Sequence, residues 1–193
     1  EDGAYVAAEA QRLRLAYAQA QASLPVGVGL RVLFSAHGLP QSIVDAGDPY
    51  AWQIERTAQA MLAAWGGTAI DWQICYQSRA TPQKWLEPST EQAIEKAARD
   101  RVAVLVVPIA FVSDHSETLV ELDVEYRDLA VKHGVVGYFR APVANDDPSF
   151  IQALAGLAQQ ALRRGPGLCS HRGGAICPAD RRDCPHHRAE RAA

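Results

Sequence analysis

His37, Asp114, His115, Glu117, Glu121 and Glu125 are the residues whose types and spacing could do acid–base or metal chemistry. His37 stands in Phe34-Ser35-Ala36-His37-Gly38-Leu39-Pro40, directly after an apolar run. An imidazole there could bind a divalent metal or accept a proton near neutral pH. It could equally be a loop histidine satisfied by its neighbours. Glu117, Glu121 and Glu125 follow one another at i, i+4 and i+8, which on an α-helix puts three carboxylates on one face. Like charges at that spacing repel unless a cation or a transferable proton intervenes; the plainer alternative is a solvated acidic face. Oxygen and imidazole ligands together suit Fe²⁺ or Zn²⁺. A further segment, Cys75-Tyr76-Gln77-Ser78-Arg79 with Trp85-Leu86 beyond it, offers a guanidinium and aromatic rings. These could hold a flat anionic ligand by ion pairing and stacking, or form a packed loop with a surface arginine.

Elements able to position these residues are visible in the pattern. Ala4–Ala22 is rich in Ala, Leu, Arg and Gln and predicts a helix. Arg31–Ala36 predicts a buried strand. Asp48–Trp65 predicts a helix stopped by Gly66-Gly67. Thr68–Cys75 predicts a strand and Ser78–Pro88 a loop. Ser89 is the expected N-cap of a helix reaching Arg99. Arg101–Val107 is the clearest strand, closed by Pro108. A helix is expected from about His115 to His133, then a strand at Val135–Phe139, then a helix opened by Asp147-Pro148 and running to Arg163. Strands alternating with helices predict an α/β fold with a mostly parallel, doubly wound sheet. His37, the Tyr76–Arg79 segment and Pro108–Glu125 all leave carboxyl ends of strands, where open α/β sheets place their ligands.

Asp2-Gly3-Ala4-Tyr5-Val6 resembles Asp147-Pro148-Ser149-Phe150-Ile151, and both run into similar helices. The expected organisation is therefore a domain over residues 1–164, in which 1–25 is a linking helix after a missing earlier unit. Residues 165–193 form an irregular Cys/His-rich tail that needs something besides a core to order it.

Net charge is −3 with no block of like charge, which excludes nucleic acid as the main partner. The apolar run Val102–Val112 is broken by Pro108 and too short to span a bilayer. The chain opens on no signal peptide, so the expected location is cytoplasmic. Its lack of an initial Met points to a fragment or a processed piece of a longer chain. A core of this size without a secretion signal argues against a disulfide framework. Cys75 lies in a predicted strand, where burial accounts for it. Cys169, Cys177 and Cys184 are left as candidate ligands. They suit a zinc site completed by His171, His186 or His187, or remain free thiols of a disordered tail.

The motifs FSAHGLP, YQSRATPQKWLEPST and PIAFVSDHSETLVELDVEY occur in this order, and the chain thereby resembles the C-terminal half of ferrochelatases from Arg31 to about Leu162. The loop departs from the family's pattern at Arg79-Ala80-Thr81-Pro82 and Leu86-Glu87-Pro88, where Val-Gly and Gly-Pro are common. The resemblance implies a chelatase-like, Rossmann-like half with a four-stranded parallel sheet. It implies insertion of ferrous iron, as substrate, into a dicarboxylate or tetracarboxylate porphyrin. His37 and Glu117 become the catalytic pair; Glu121 and Glu125 join them along a metal path on a π-distorted helix. Ser35, Tyr76, Gln77, Ser78, Arg79, Trp85 and His115 become substrate-binding residues. Some members bind a 2Fe–2S cluster through C-terminal cysteines, which implies Cys169, Cys177 and Cys184 here. The N-terminal half would supply the other wall of the cleft, so the isolated chain is expected to be inactive. Peripheral membrane association is a further expectation. The alternatives are a half that binds tetrapyrrole or metal without turnover, and a short chelatase working as a homodimer.

Overall fold

The structure, a computed structural model, describes residues 2–79, 81–168, 170 and 173–192. Helix α1 (Gly3–Ala22) is followed by strand β1 (Leu30–His37), a short helix α2 (Gln41–Asp45), helix α3 (Tyr50–Trp65) and strand β2 (Asp71–Gln77). Helix α4 (Thr90–Asp100) leads to strand β3 (Ala103–Pro108) and then to a π-helix over Glu117–Glu125. That runs on as α5 (Tyr126–Lys132), before strand β4 (Tyr138–Arg140), α6 (Pro148–Arg164) and α7 (Pro185–Ala192). The four strands form one all-parallel sheet in the order β2-β1-β3-β4.

Each central strand is a continuous apolar run because both faces of the sheet are covered. Val32, Phe34, Ala36, Leu105 and Val107 pack on the side of α1 and α3. Leu33, Cys75, Val104 and Val106 pack on the side of α4, the π-helix and α5, against Ala93, Ile94, Ala97, Leu122 and Tyr126. The residues of α1 that are buried, among them Val6, Ala10, Leu13 and Ala20, recur at helical spacing, and their small size brings the helix close. Asp2 accepts from the backbone of Ala4 and Tyr5, and Asp147 accepts from Ser149 and Phe150, so the two similar segments cap α1 and α6 in the same way. The Tyr5 and Phe150 rings then meet edge to face.

Four elements differ from the expectation. β2 begins at Asp71, because Thr68 is spent on the turn after Gly66-Gly67, where its carbonyl accepts from the Trp65 indole. β4 is shorter and later than Val135–Phe139: Val135 donates to the carbonyl of Ala130 to close α5, so pairing with β3 starts only at Tyr138. Helix α2 sits between the His37 segment and α3, over residues with no expected structure. The tail is irregular over most of its described length and ends in α7, which the composition does not foreshadow. Its Asp183 amide bonds to the carbonyl of Gly47, and Gly47, at φ +113°, lies so close to Arg182 that a Cβ would clash.

At the amino ends of the strands, Arg31 is buried and bonds Asp71 at 2.8 Å and Asp100 at 2.7 Å, joining β1, β2 and α4. No helix among the described residues is long and apolar enough to cross a membrane.

Ser89 caps α4 as expected, in a capping box: its hydroxyl accepts from Gln92 N and the Gln92 side chain accepts from Ser89 N. Because Ser89 is fully buried, Ser89→Ala leaves the Gln92 amide without its acceptor. The substitution should lower unfolding free energy by about 1–2 kcal/mol, read as a lower urea midpoint at unchanged slope.

Candidate active site

The carboxyl ends of β1 and β2 lie level, with His37 opposite Gln77, and β3 ends beside Ser35. Three loops therefore leave the sheet at one edge. The loop from Ser78 is strapped to the loop after His37: Gly38 donates to Gln77 O, Gln41 to Lys84 O, and Leu86 to Leu39 O. Gly38 is needed for this approach. A Cβ there would stand 2.9 Å from Gln77 O and 3.2 Å from the Trp85 ring.

His37 is fixed by its backbone, paired in β1 and accepting from the Tyr50 hydroxyl at 3.0 Å. Burial pushes that hydroxyl's pKa up to about 12, so it stays a donor. The His37 Nδ1 lies 2.7 Å from the carbonyl of Gly38. A carbonyl only accepts, so Nδ1 carries a proton, and in the neutral imidazole Nε2 presents its lone pair. Nε2 faces Glu117 Oε1 at 3.8 Å. Metal–nitrogen and metal–oxygen bonds of about 2.1 Å each sum to slightly more than this gap, so one divalent ion fits between the two atoms at a bent angle.

Glu117 opens the π-helix. Tyr126 N bonds Glu121 O, an i→i+5 step. The wider turn breaks the expected alignment of the three glutamates. Glu117 faces His37, Glu121 turns toward β2, and Glu125 is exposed. Glu121 accepts four hydrogen bonds: from Ser78 N at 2.8 Å, Tyr126 Oη at 2.8 Å, Ser78 Oγ at 2.5 Å and Gln77 Nε2 at 3.0 Å. Burial and the carboxylates of Glu91 and Glu121 hold the Tyr126 hydroxyl far above the ordinary phenol range, so it too remains a donor.

Of the expected substrate contacts, Ser35, Tyr76 and Gln77 are buried and present no exposed side chain. Ser35 Oγ donates to the side-chain oxygen Oε1 of Gln77 at 2.8 Å and lies 2.9 Å from Thr90 Oγ1, which turns the Gln77 side-chain nitrogen Nε2 toward Glu121 and Glu117 O. Tyr76 belongs to the core. Ser78, at φ +61°, is held by Glu121. Arg79 pairs with Glu91 at 3.8 Å. Trp85 is half-buried with its indole N–H on Thr81 O. His115 is exposed, lies near the Phe111 ring, and accepts from Glu117 N through Nδ1. Arg140, Asp123, Asn145, Tyr126 and Glu91 also belong to the site's framework; only their polar types, in loops and helices near the motifs, could have marked them in the sequence.

In the tail, Cys177 and Cys184 are buried side by side. Burial and the neighbouring Cys184 thiol push the Cys177 thiol up to about 11. Gln53 donates to Cys177 Sγ, and a His187 ring nitrogen lies 2.9 Å from Cys177 O. Cys169 and His171 lie outside the described residues. Cys75 is in the sheet, where burial pushes its thiol up to about 12. Among the described residues no three His, Cys, Asp or Glu side chains are grouped to hold a metal ion. The described part of the tail thus does not make a four-cysteine site of the kind a 2Fe–2S cluster needs.

The ferrochelatase family model matches residues 1–162. The chain belongs to the ferrochelatase family. It is 42% identical over 184 residues to a ferrochelatase of Caulobacter vibrioides, covering 95% of this chain and 52% of that protein. It is 54% identical over 127 residues to one from a Wolbachia of Drosophila simulans, covering 66% and 39%. With a Hyphomonas neptunium ferrochelatase it shares 45% over 158 residues, covering 81% and 43%. The chain spans about half the length of these relatives, or somewhat less. Its fold matches a Marinobacter aquaeolei VT8 CbiX protein, named for cobalamin (vitamin B12) biosynthesis, with a TM-score of 0.51 at 19% identity, over 70% of this chain and 99% of that one. This ferrochelatase relative should be sensitive at Gly38. Gly38→Ala should cost about 1–3 kcal/mol by overpacking, with a shifted Trp85 fluorescence maximum; unchanged stability and emission would mean that the two loops are not strapped as described.

Proposed function

We propose that this chain is the metal-delivering half of a ferrochelatase, inserting ferrous iron into a carboxylated porphyrin. The observation that carries the reading is Nε2 of His37 facing the Glu117 carboxylate at 3.8 Å, at the ligand-bearing edge of a parallel sheet. Insertion requires two pyrrole protons to leave as the metal enters. A lone-pair nitrogen and a carboxylate are the proton acceptors and metal ligands this step needs. Both are half-exposed, so a substrate can reach them, while Gly38 and the strapped loop hold His37 in place. Arg79 and Trp85 lie on the adjoining loop, where a charged porphyrin edge and its ring face can be met. Distorting the macrocycle draws on binding energy from its whole surface, which one wall cannot supply; the other wall comes from an N-terminal half or a second copy.

Two observations separate this reading from a module that binds without turnover. This chain, alone and joined to the N-terminal half of a full-length ferrochelatase, is mixed with Fe²⁺ or Zn²⁺ and a dicarboxylate porphyrin, and the Soret band is followed. Insertion is expected in the joined form, and His37→Ala should reduce it at least about a hundredfold with thermal melting unchanged. A folded His37→Ala protein that inserts metal at the parent rate would remove His37 from the mechanism.

A metal centre in the tail depends on Cys169 joining Cys177 and Cys184. Anaerobically purified protein should then hold near-stoichiometric iron with sulfide, or zinc, and lose it in Cys177→Ser. Metal-free protein with titratable thiols would refute this.

A further inference from the structure

The short edge strand β4 contributes no atom to the His37–Glu117 pair, yet both of its polar side chains end on the π-helix or the loop that leads into it. We infer that Arg140 is the positioning residue that holds Glu117 opposite His37, a role that rests on the chelatase reading above. The Arg140 side chain is only 12% exposed, and its guanidinium makes a two-pronged bond to Asp123, Nε to Oδ1 and Nη2 to Oδ2, each at 2.7 Å. Its remaining nitrogen, Nη1, reaches Asp114 Oδ1 at 3.2 Å. Asp114 precedes Glu117 and Asp123 follows it, so one planar cation spans the segment that carries the acid.

Asp114 passes the anchor onward. It accepts from Thr118 Oγ1 and from the Asn145 side chain, each at 2.9 Å, and its own amide donates to Asn145 Oδ1. Thr118 is fully buried in the first turn and receives His115 N at 2.9 Å. At the far end, Tyr138 Oη donates to Leu122 O at 2.6 Å and Arg127 Nε to Asp123 O at 3.0 Å. Side-chain donors from β4 and α5 thus meet backbone carbonyls of the helix, as Gln77 does at Glu117 O.

The Glu117 carboxylate depends on this scaffold. Among the described residues it accepts no hydrogen bond, and its one ionic neighbour is His37. Its position is therefore set by the backbone of the π-helix. A π-helix is an uncommon geometry, and a fork of charge-assisted bonds is a strong way to hold it. Lysine keeps the charge but cannot supply the fork.

The test uses Arg140→Lys and Arg140→Gln. Hydrogen exchange of this chain is read by mass spectrometry for peptides covering residues 114–126 and, as controls, α1 and α3. Arg140→Lys should raise exchange over residues 114–126 about tenfold, the factor for losing one charge-assisted hydrogen bond, with the controls unchanged. In the joined two-half protein, the insertion kcat should fall about tenfold while the porphyrin KM stays constant, a split that general destabilisation does not produce. Unchanged exchange, exchange rising equally in all peptides, or a local rise with the parent kcat would each overturn the proposal. A local rise in a protein whose parent inserts no metal would support Arg140 as the clamp and defeat the chelatase reading instead.

Discussion

The carboxylate of Glu121 accepts four hydrogen bonds from side chains and backbone that approach it from two directions, and the geometry of the edge depends on that convergence. An ionised carboxylate offers about four lone-pair sites, and here all of them are filled. Gln77 and Ser78 bring the end of β2; Tyr126 brings the start of α5. Through Gln77 the chain of bonds continues into the sheet, to Ser35 and Thr90, and Thr90 begins α4. A buried polar network of this kind is costly when partly satisfied and rigid when complete. The residue that spacing groups with Glu117 and Glu125 as one acidic face is, in the folded chain, the tie between β2 and the helix that Glu117 begins.

The two members of the facing pair are held by different means. His37 ends a central strand bonded on both sides, its carbonyl takes the Tyr50 hydroxyl, and its ring is oriented by the carbonyl of the next residue. Glu117 begins a helix whose turns are wide and whose supports come from β2, β4 and α5. Rigidity is therefore local for the imidazole and distributed for the carboxylate. A change at Gly38 acts on the site within one residue, whereas a change at Arg140 acts on it through the backbone of the whole π-helix.

Much of this fold is legible in the sequence because its signals are strong. A short apolar run announces β1 and a continuous β-branched one β3, Ser89 with Gln92 announces the start of α4, and Asp2 and Asp147 stand where their helices are capped. The edge elements are less legible. β4 forms three pairs on one side only, so its position depends on how many residues the stop after α5 consumes. The π-helix cannot be read from periodicity, since i, i+4 and i+8 describe an α-helical face, and the i→i+5 register follows from partners distant in the chain. The same holds within the site. His37 and Glu117 are identifiable from motif and type, but Ser35, Tyr76 and Gln77 sit at the mouth of the strands in sequence and beneath it in space. Strand alternation decides which, and the ends of strands are where alternation is hardest to assign.

What the pair leaves undone is as informative as what it does. Two protein ligands hold a divalent ion weakly compared with the four of a structural zinc site. On the reading proposed here, weakness is required, because an ion held by four protein ligands would not be surrendered to a macrocycle. On that same reading the pyrrole nitrogens would complete the coordination as the protein ligands withdraw, and the two protons would move toward the groups that had just released the metal. The demand on the protein is thus for precise placement of few ligands at an accessible edge. A lone imidazole on a rigid strand, opposed by a carboxylate with no hydrogen bond of its own, meets that demand. The same reading would account for why the surrounding hydrogen bonds are spent on Glu121, Asp114 and Asp123, which fix the backbone, and not on Glu117, which on that reading binds and lets go.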